Sequence, residues 1–185
     1  MLKFRFSPRS QAASTVSKNG QLHHIIGGRS HFKSSLESMQ SVGLQDPSKE
    51  QQMVVNRRLH SSRFASAVTL STGDLVLTGG KRNQRNAFLI IQSNHTNWRE
   101  LPRMRYGRYA HSSCSFTQDK EERVIVAGGW SEQGKAQASV EIYNFRKERW
   151  IELTSLPSPR VYFFLQVSKK SLKVHLNHFL AGNRC

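Results

Sequence analysis

The stretch "ERVIVAGGW", residues 122–130, runs through four apolar or small residues into two adjacent glycines and a tryptophan. Strand interiors disfavour glycine, so a strand that ends on two of them is turning sharply where another backbone comes close. The same device occurs twice more, in "LHHIIGG" (22–28) and "DLVLTGG" (74–80). The pairs Gly27–Gly28, Gly79–Gly80 and Gly128–Gly129 are 52 and 49 residues apart. Self-similarity at such a period marks a chain built of stacked units.

A second mark keeps that period. Trp98 and Trp150 are 52 residues apart, and each stands ten residues before an arginine, Arg108 or Arg160, through "WRELPRMRYGR" and "WIELTSLPSPR". Seven residues before each tryptophan come Ile91 and Tyr143, and Arg9 and Arg63 extend the arginine series. The pattern resembles the kelch repeat, in which an apolar run ends in Gly-Gly and is followed by Tyr, Trp and an "LPxxPxxR" lead into the next unit. The resemblance divides the chain into the end of a preceding unit or a leader (1–8), a degenerate repeat (9–62), a repeat (63–107), the best match (108–159) and a shortened repeat (160–185). It implies an all-β fold, a partial kelch β-propeller of about three four-stranded antiparallel blades plus the start of a fourth. In the best-matching unit the strands are expected at about 110–116, 123–127, 139–143 and 149–153. The fourth unit reaches only "HFLAGN" before Cys185, so the chain is expected to be part of a ring. Arg63, Arg108 and Arg160 are expected to be structural, pairing with backbone or with neighbouring blades.

Composition narrows the partners. Against 28 Lys and Arg stand 12 Asp and Glu, a net charge of +16, which favours acidic partners. The two cysteines, Cys114 and Cys185, show neither disulfide-framework nor zinc spacing. No apolar run approaches the ~18–20 residues of a membrane span. The first 36 residues carry six Lys or Arg and no acid, the composition of a mitochondrial transit peptide, yet "PRSQAASTVSKNGQLHHIIGG" also opens a repeat, with Asn19–Gly20 as its hairpin turn. The repeat phase favours the second reading. A cytoplasmic location is expected, with the nucleus and then mitochondria as alternatives.

Catalytic patterns are absent: there is no G-x-S-x-G, P-loop or H-E-x-x-H. His175 and His178 are spaced for a helix face but fall where the repeat places a strand, Cys114 sits in a strand alternation as a small core residue, and the Asn94 sequon forms a polar turn. His111 is read as packing. No enzyme activity, cofactor or metal is expected. A copper oxidase resembling galactose oxidase is the weakest alternative, since it needs ligands from regions not present in this sequence.

In peptide-binding kelch proteins the resembling positions follow the Gly-Gly pair and flank the repeat arginine. Here the first set offers Arg29 and His31, then Lys81, Arg82, Asn83 and Arg85, then Trp130 and Ser131; the second offers Ser10, Phe64, Tyr109 and Val161. Arg29, Lys81, Arg82, Arg85, Tyr109 and Trp130 are the expected partner-binding residues, because guanidinium forks suit carboxylates and aromatic rings give rigid contact area. The bland alternative is a set of solvated loop charges. The resemblance implies a protein-interaction module for an acidic protein or peptide, as in substrate-recruiting adaptors of cullin-RING ubiquitin ligases. Actin binding is the alternative. Specific nucleic-acid binding is not expected, since the cations are spread over every unit without an aromatic RNA-binding motif.

Overall fold

The structure, a computed structural model, describes residues 11–29, 38–43, 51–54, 63–82, 84–91, 98–168 and 171–177. Arg9, Ser10, His31, Asn83, Asn94 and His178 lie outside the described residues. The described residues form fourteen strands and no helix. Four sheets take them in chain order. The first holds β1 (Ala13–Val16), β2 (Leu22–Ile26), β3 (Ser38–Gly43) and β4 (Gln51–Val54). The second holds β5 (Ser66–Thr69), β6 (Leu75–Thr78), β7 (Ala87–Ile90) and β8 (Trp98–Leu101). In the third are β9 (Ser112–Gln118), β10 (Glu121–Ala127), β11 (Val140–Asn144) and β12 (Arg149–Leu153), and the fourth pairs β13 (Phe164–Ser168) with β14 (Ser171–Asn177). Every pairing is antiparallel between sequence neighbours, so each sheet is a simple meander. The first strands lie side by side, β1 next to β5, β5 next to β9 and β9 next to β13, which is the radial arrangement of propeller blades.

The strand sequences explain the stacking. Along β6, Leu75 and Leu77 pack toward the first blade with Ile26 and Met39, while Val76 packs toward the third with Val124 and Val126. Along β10, Ile125 and Ala127 turn the other way, toward Leu165 of the fourth blade. Alternate residues point to opposite faces, and here both faces are covered, so an unbroken apolar run is what the geometry demands. Each fully buried Leu, Ile or Val contributes ~1.5–3 kcal/mol of transfer free energy.

In the third blade β9 has the expected seven residues but lies two positions further along, at 112–118 instead of 110–116, and β10 starts two residues earlier than expected, at Glu121. Of the polar stretch "TQDKEE" only Asp119 and Lys120 form the loop, both at positive φ (53° and 61°), the signature of a two-residue type I′ hairpin. Asn19–Gly20 forms the expected turn between β1 and β2, with Gly20 at φ 69°. The innermost strands carry short polar side chains that bond across blades: Thr15 Oγ1 to Thr69 Oγ1 at 3.0 Å, Ser66 Oγ to Ser113 Oγ at 2.6 Å, and Ser115 Oγ donating to the Thr69 carbonyl at 2.7 Å.

Candidate functional site

The meander fixes which loops share an end of the blades. Each second strand runs toward the Gly-Gly pair, and the connection into the next blade returns to that same end. The β6–β7 and β10–β11 loops therefore lie beside the linkers 102–111 and 154–163, while the β5–β6, β9–β10 and β11–β12 turns lie opposite. Arg29, Lys81, Arg82, Arg85, Tyr109 and Trp130 all fall at the Gly-Gly end.

Backbone crowding explains the glycines there. Gly128 and Gly129 have φ of 61° and 93°, and the Gly129 N–H donates to the Arg160 carbonyl of the next unit at 2.7 Å. One blade earlier Gly80 makes the same bond to the Arg108 carbonyl at 3.1 Å. A Cβ on Gly128 would sit 2.5 Å from the Arg160 carbonyl, and one on Gly79 would strike that of Arg108. A further backbone series links the blades: Phe64 N–H to the Gln11 carbonyl (2.9 Å), Ala110 to Phe64 (2.8 Å) and Tyr162 to Ala110 (3.0 Å). These four residues share positive φ, between 52° and 59°, an unusual conformation for non-glycine residues repeated at one position per blade.

The repeat arginines do not occupy one position. Arg108 is fully buried; its guanidinium donates to the Gly128 carbonyl (2.9 Å), the Ser139 carbonyl (3.1 Å), Ser139 Oγ (3.0 Å) and Glu141 Oε2 (2.8 Å). Burial pushes its pKa below the ordinary arginine value, and the Glu141 charge and hydrogen bond oppose that. Glu141, also buried, accepts the N–H groups of Arg105 (2.7 Å) and Tyr106 (3.2 Å) as well, so one carboxylate on β11 pins the linker between two blades. Arg63 departs from this pattern. Its carbonyl accepts from Lys81 at 2.9 Å as that of Tyr109 accepts from Trp130 at 2.8 Å, which places Arg63 in the Tyr109 position, one residue past that of Arg108. The strand register supplies the reason: Phe88 on β7 stands where β11 has Glu141, so a buried guanidinium there would meet no carboxylate. The Arg63 Nε instead donates to Gln11 Oε1 of the first blade at 2.7 Å.

The aromatic marks pack between blades. Tyr143 and Trp150 are cross-strand partners with ring centroids 5.1 Å apart, and the Trp150 indole N–H donates to the Pro102 carbonyl of the second blade at 2.7 Å. In the second blade the partner of Trp98 is Ile90, not Ile91, and Phe88 meets the Trp98 ring edge-on at 5.6 Å.

Of the expected binding residues, the structure joins Tyr109 and Trp130 directly as a two-way backbone bridge. Tyr109 also meets Phe64 at 6.1 Å between centroids, Phe64 meets Tyr162 at 5.9 Å, and the Arg63 guanidinium lies over the Phe64 ring at 6.0 Å. Tyr162 is 58 % exposed. Sequence reasoning took Val161 from this blade and missed Tyr162; the equivalent residues Gln11, Phe64, Ala110 and Tyr162 share no residue type and no constant offset from the repeat arginines, so only the backbone series singles them out. Lys81 and Arg82 are exposed beside this aromatic mouth; Arg85 lies apart from it, in a cleft toward the third blade, and Arg29 is exposed on the first blade.

His111, directly below the mouth, is buried, with Nε2 at 2.8 Å from Thr78 Oγ1 and no partner for Nδ1 among the described residues. Burial, and then the Arg108 charge, hold its pKa well below the ordinary value. The unfolded chain thus takes up a proton near pH ~6.5 that the folded chain refuses, so stability is full above that pH and falls as the pH drops below it, by up to ~1.4 kcal/mol per unit. Phe163 meets Gly128 as His111 meets Gly79. We therefore expect His111→Phe to flatten the loss of urea stability between pH ~6.5 and ~5; parallel curves for variant and wild type would refute this.

Burial raises the Cys114 thiol, a free cysteine on β9. Among the described residues no three His, Cys, Asp or Glu are grouped to hold a metal, and no helix is long and apolar enough to cross a membrane.

Comparison with known proteins agrees with this architecture. Residues 121–157 match the family model of the kelch motif. Over 60 residues, 32% of this chain and 9% of the relative, the sequence is 40% identical to Kelch-like protein 34 of Homo sapiens. Over 71 residues, 38% of this chain and 7% of the relative, it is 36% identical to Alpha-scruin of Limulus polyphemus. The matched stretch is thus less than a tenth of either relative's length.

Proposed function

We propose that this chain, a kelch-repeat protein and a protein-interaction module, receives an acidic segment of its partner across the Gly-Gly end of the blades. The observation that carries this is the mouth itself. Arg63, Phe64, Tyr109 and Tyr162 converge there with exposed Lys81 and Arg82 at its side, on a backbone fixed by the Arg108–Glu141 pair and the inter-blade hydrogen bonds. Rigid aromatic rings with guanidinium groups are the residue types that dominate binding energy at interfaces. Selection from a phage-displayed random dodecapeptide library tests it. Enrichment of Asp- and Glu-containing peptides, with binding lost in the Trp130→Ala/Arg82→Gln variant, is expected; binders without acidic residues, or binders indifferent to both substitutions, would sink the proposal.

Recruitment of a substrate protein to a cullin-RING ubiquitin ligase is the assembly this recognition mode suits best, because a short segment needs only the loop end. Actin binding is the second reading, favoured by the net charge of +16. Co-sedimentation with filaments at ~0.15 M salt, where exposed charges are screened beyond ~8 Å, separates them. Pelleting at that salt supports actin, and a protein that stays in the supernatant removes it.

A further inference from the structure

A cleft of about 150 Å³ opens at the Gly-Gly end between the second and third blades, lined by Arg85, Tyr106, Gly107, Glu132 and Gln137 among others. Its walls are held from behind. The Arg85 Nε donates to the Met104 carbonyl at 2.9 Å, and among the described residues the two terminal nitrogens of the fork have no hydrogen-bond partner. The Tyr106 N–H is fixed on buried Glu141 at 3.2 Å, and Gln137 Nε2 donates to the Gly107 carbonyl at 2.8 Å. Glu132 rests against Gly107, where a Cβ would run into its side chain. Arg85 and Glu132 line one small space without forming an ion pair with each other.

Among the described residues the Arg85 terminal nitrogens and the Glu132 carboxylate have no partner, and on either side of a side-chain-sized space they are complementary to a group that offers an acid and a hydrogen-bond donor together. We propose that this cleft binds one acidic residue of a peptide, its side-chain carboxylate on the terminal nitrogens of Arg85 and a neighbouring main-chain N–H on Glu132. Bidentate pairing of this kind is the strong form of carboxylate recognition, and a fork already fixed through Nε loses less freedom in making it. The inference rests on the Gly-Gly end being the peptide-receiving end, and it adds a specific anchor point there.

The test uses the whole chain and two blocked tripeptides, acetyl-Gly-Glu-Gly-amide and its Gln counterpart, titrated while the arginine Nε–H signals are followed by NMR. Arg85→Lys assigns the Arg85 signal by its disappearance, and exposed Arg149 on β12 serves as the charge control. A saturable shift of the Arg85 signal with the Glu peptide, absent with the Gln peptide and absent at Arg149, is the expected result, and Glu132→Ala weakens the titration. Equal shifts at Arg85 and Arg149, equal response to both peptides, or tighter binding in Glu132→Ala would overturn it. This outcome is separable from that of the library selection: binders indifferent to Arg85→Lys remove the anchor and keep the module, whereas an Arg85 response without any selected binder keeps the cleft and removes the module.

Discussion

Arg108→Ala is expected to destabilise the folded chain by about 3–5 kcal/mol, the range found when one partner of a buried ion pair is removed. The guanidinium fills a fully enclosed site and makes four hydrogen bonds there, to two carbonyls, a hydroxyl and the Glu141 carboxylate. Without it, Glu141 keeps its two backbone N–H donors but holds a buried charge without a counter-charge. Glu141→Ala should cost a similar amount, with the added loss of both N–H anchors on the linker 105–106. The double substitution Arg108→Met/Glu141→Leu should cost much less than the sum of the two, since no charge is then buried. Urea unfolding followed by tryptophan fluorescence measures all of these. A loss under ~1 kcal/mol for either single variant would mean that the pair is not buried as described.

Gly128→Ala is expected to cost about 2–5 kcal/mol, combining ~1–2 for a left-handed backbone with ~1–3 for overpacking. The backbone is at φ 61°, and the new Cβ would lie 2.5 Å from the Arg160 carbonyl and 2.9 Å from the Phe163 ring. Gly134 is the natural control. It has φ 70° with nothing within 4 Å of a Cβ, so Gly134→Ala carries only the conformational part. The difference between the two variants in urea midpoint reports the crowding between blades. Equal losses would show that the glycine pair is required for its backbone angle alone.

Much of this architecture was legible because its marks are forced by the backbone. Two adjacent glycines at positive φ, pressed against the next unit's carbonyl, leave no other residue type as a substitute, and so the period survives in the sequence even where other marks fade. Side-chain marks were less faithful. Arg63 looked like a member of the Arg108 series, but the chain gives it the Tyr109 position, and the cause sits 25 residues away in Phe88, which replaces the carboxylate that Arg108 needs. Glu141 escaped notice because an acid inside "SVEIY" looks like a solvent-facing strand residue; only the question of where a buried arginine finds its counter-charge would have singled it out. Tyr162 was hidden by the choice of Val161, since single-residue register along a linker depends on hydrogen bonds that composition does not reveal. Likewise the separation of Arg85 from Lys81 and Arg82, four or fewer residues apart in sequence, follows from the path of the β6–β7 loop.

The central claim is that recognition belongs to the geometry of the Gly-Gly end and not to net charge. It is tested by comparing two charge-matched variants for affinity toward an acidic dodecapeptide selected on the wild-type chain. One is Lys81→Gln/Arg82→Gln at that end, and the other is Lys120→Gln/Lys147→Gln in the turns at the opposite end, each removing two exposed cations. Measured by fluorescence polarisation at ~0.15 M salt, where long-range charge is screened, the first is expected to lose at least about tenfold, ~1.4 kcal/mol, while the second stays at the wild-type value. Equal losses in the two variants would contradict the account.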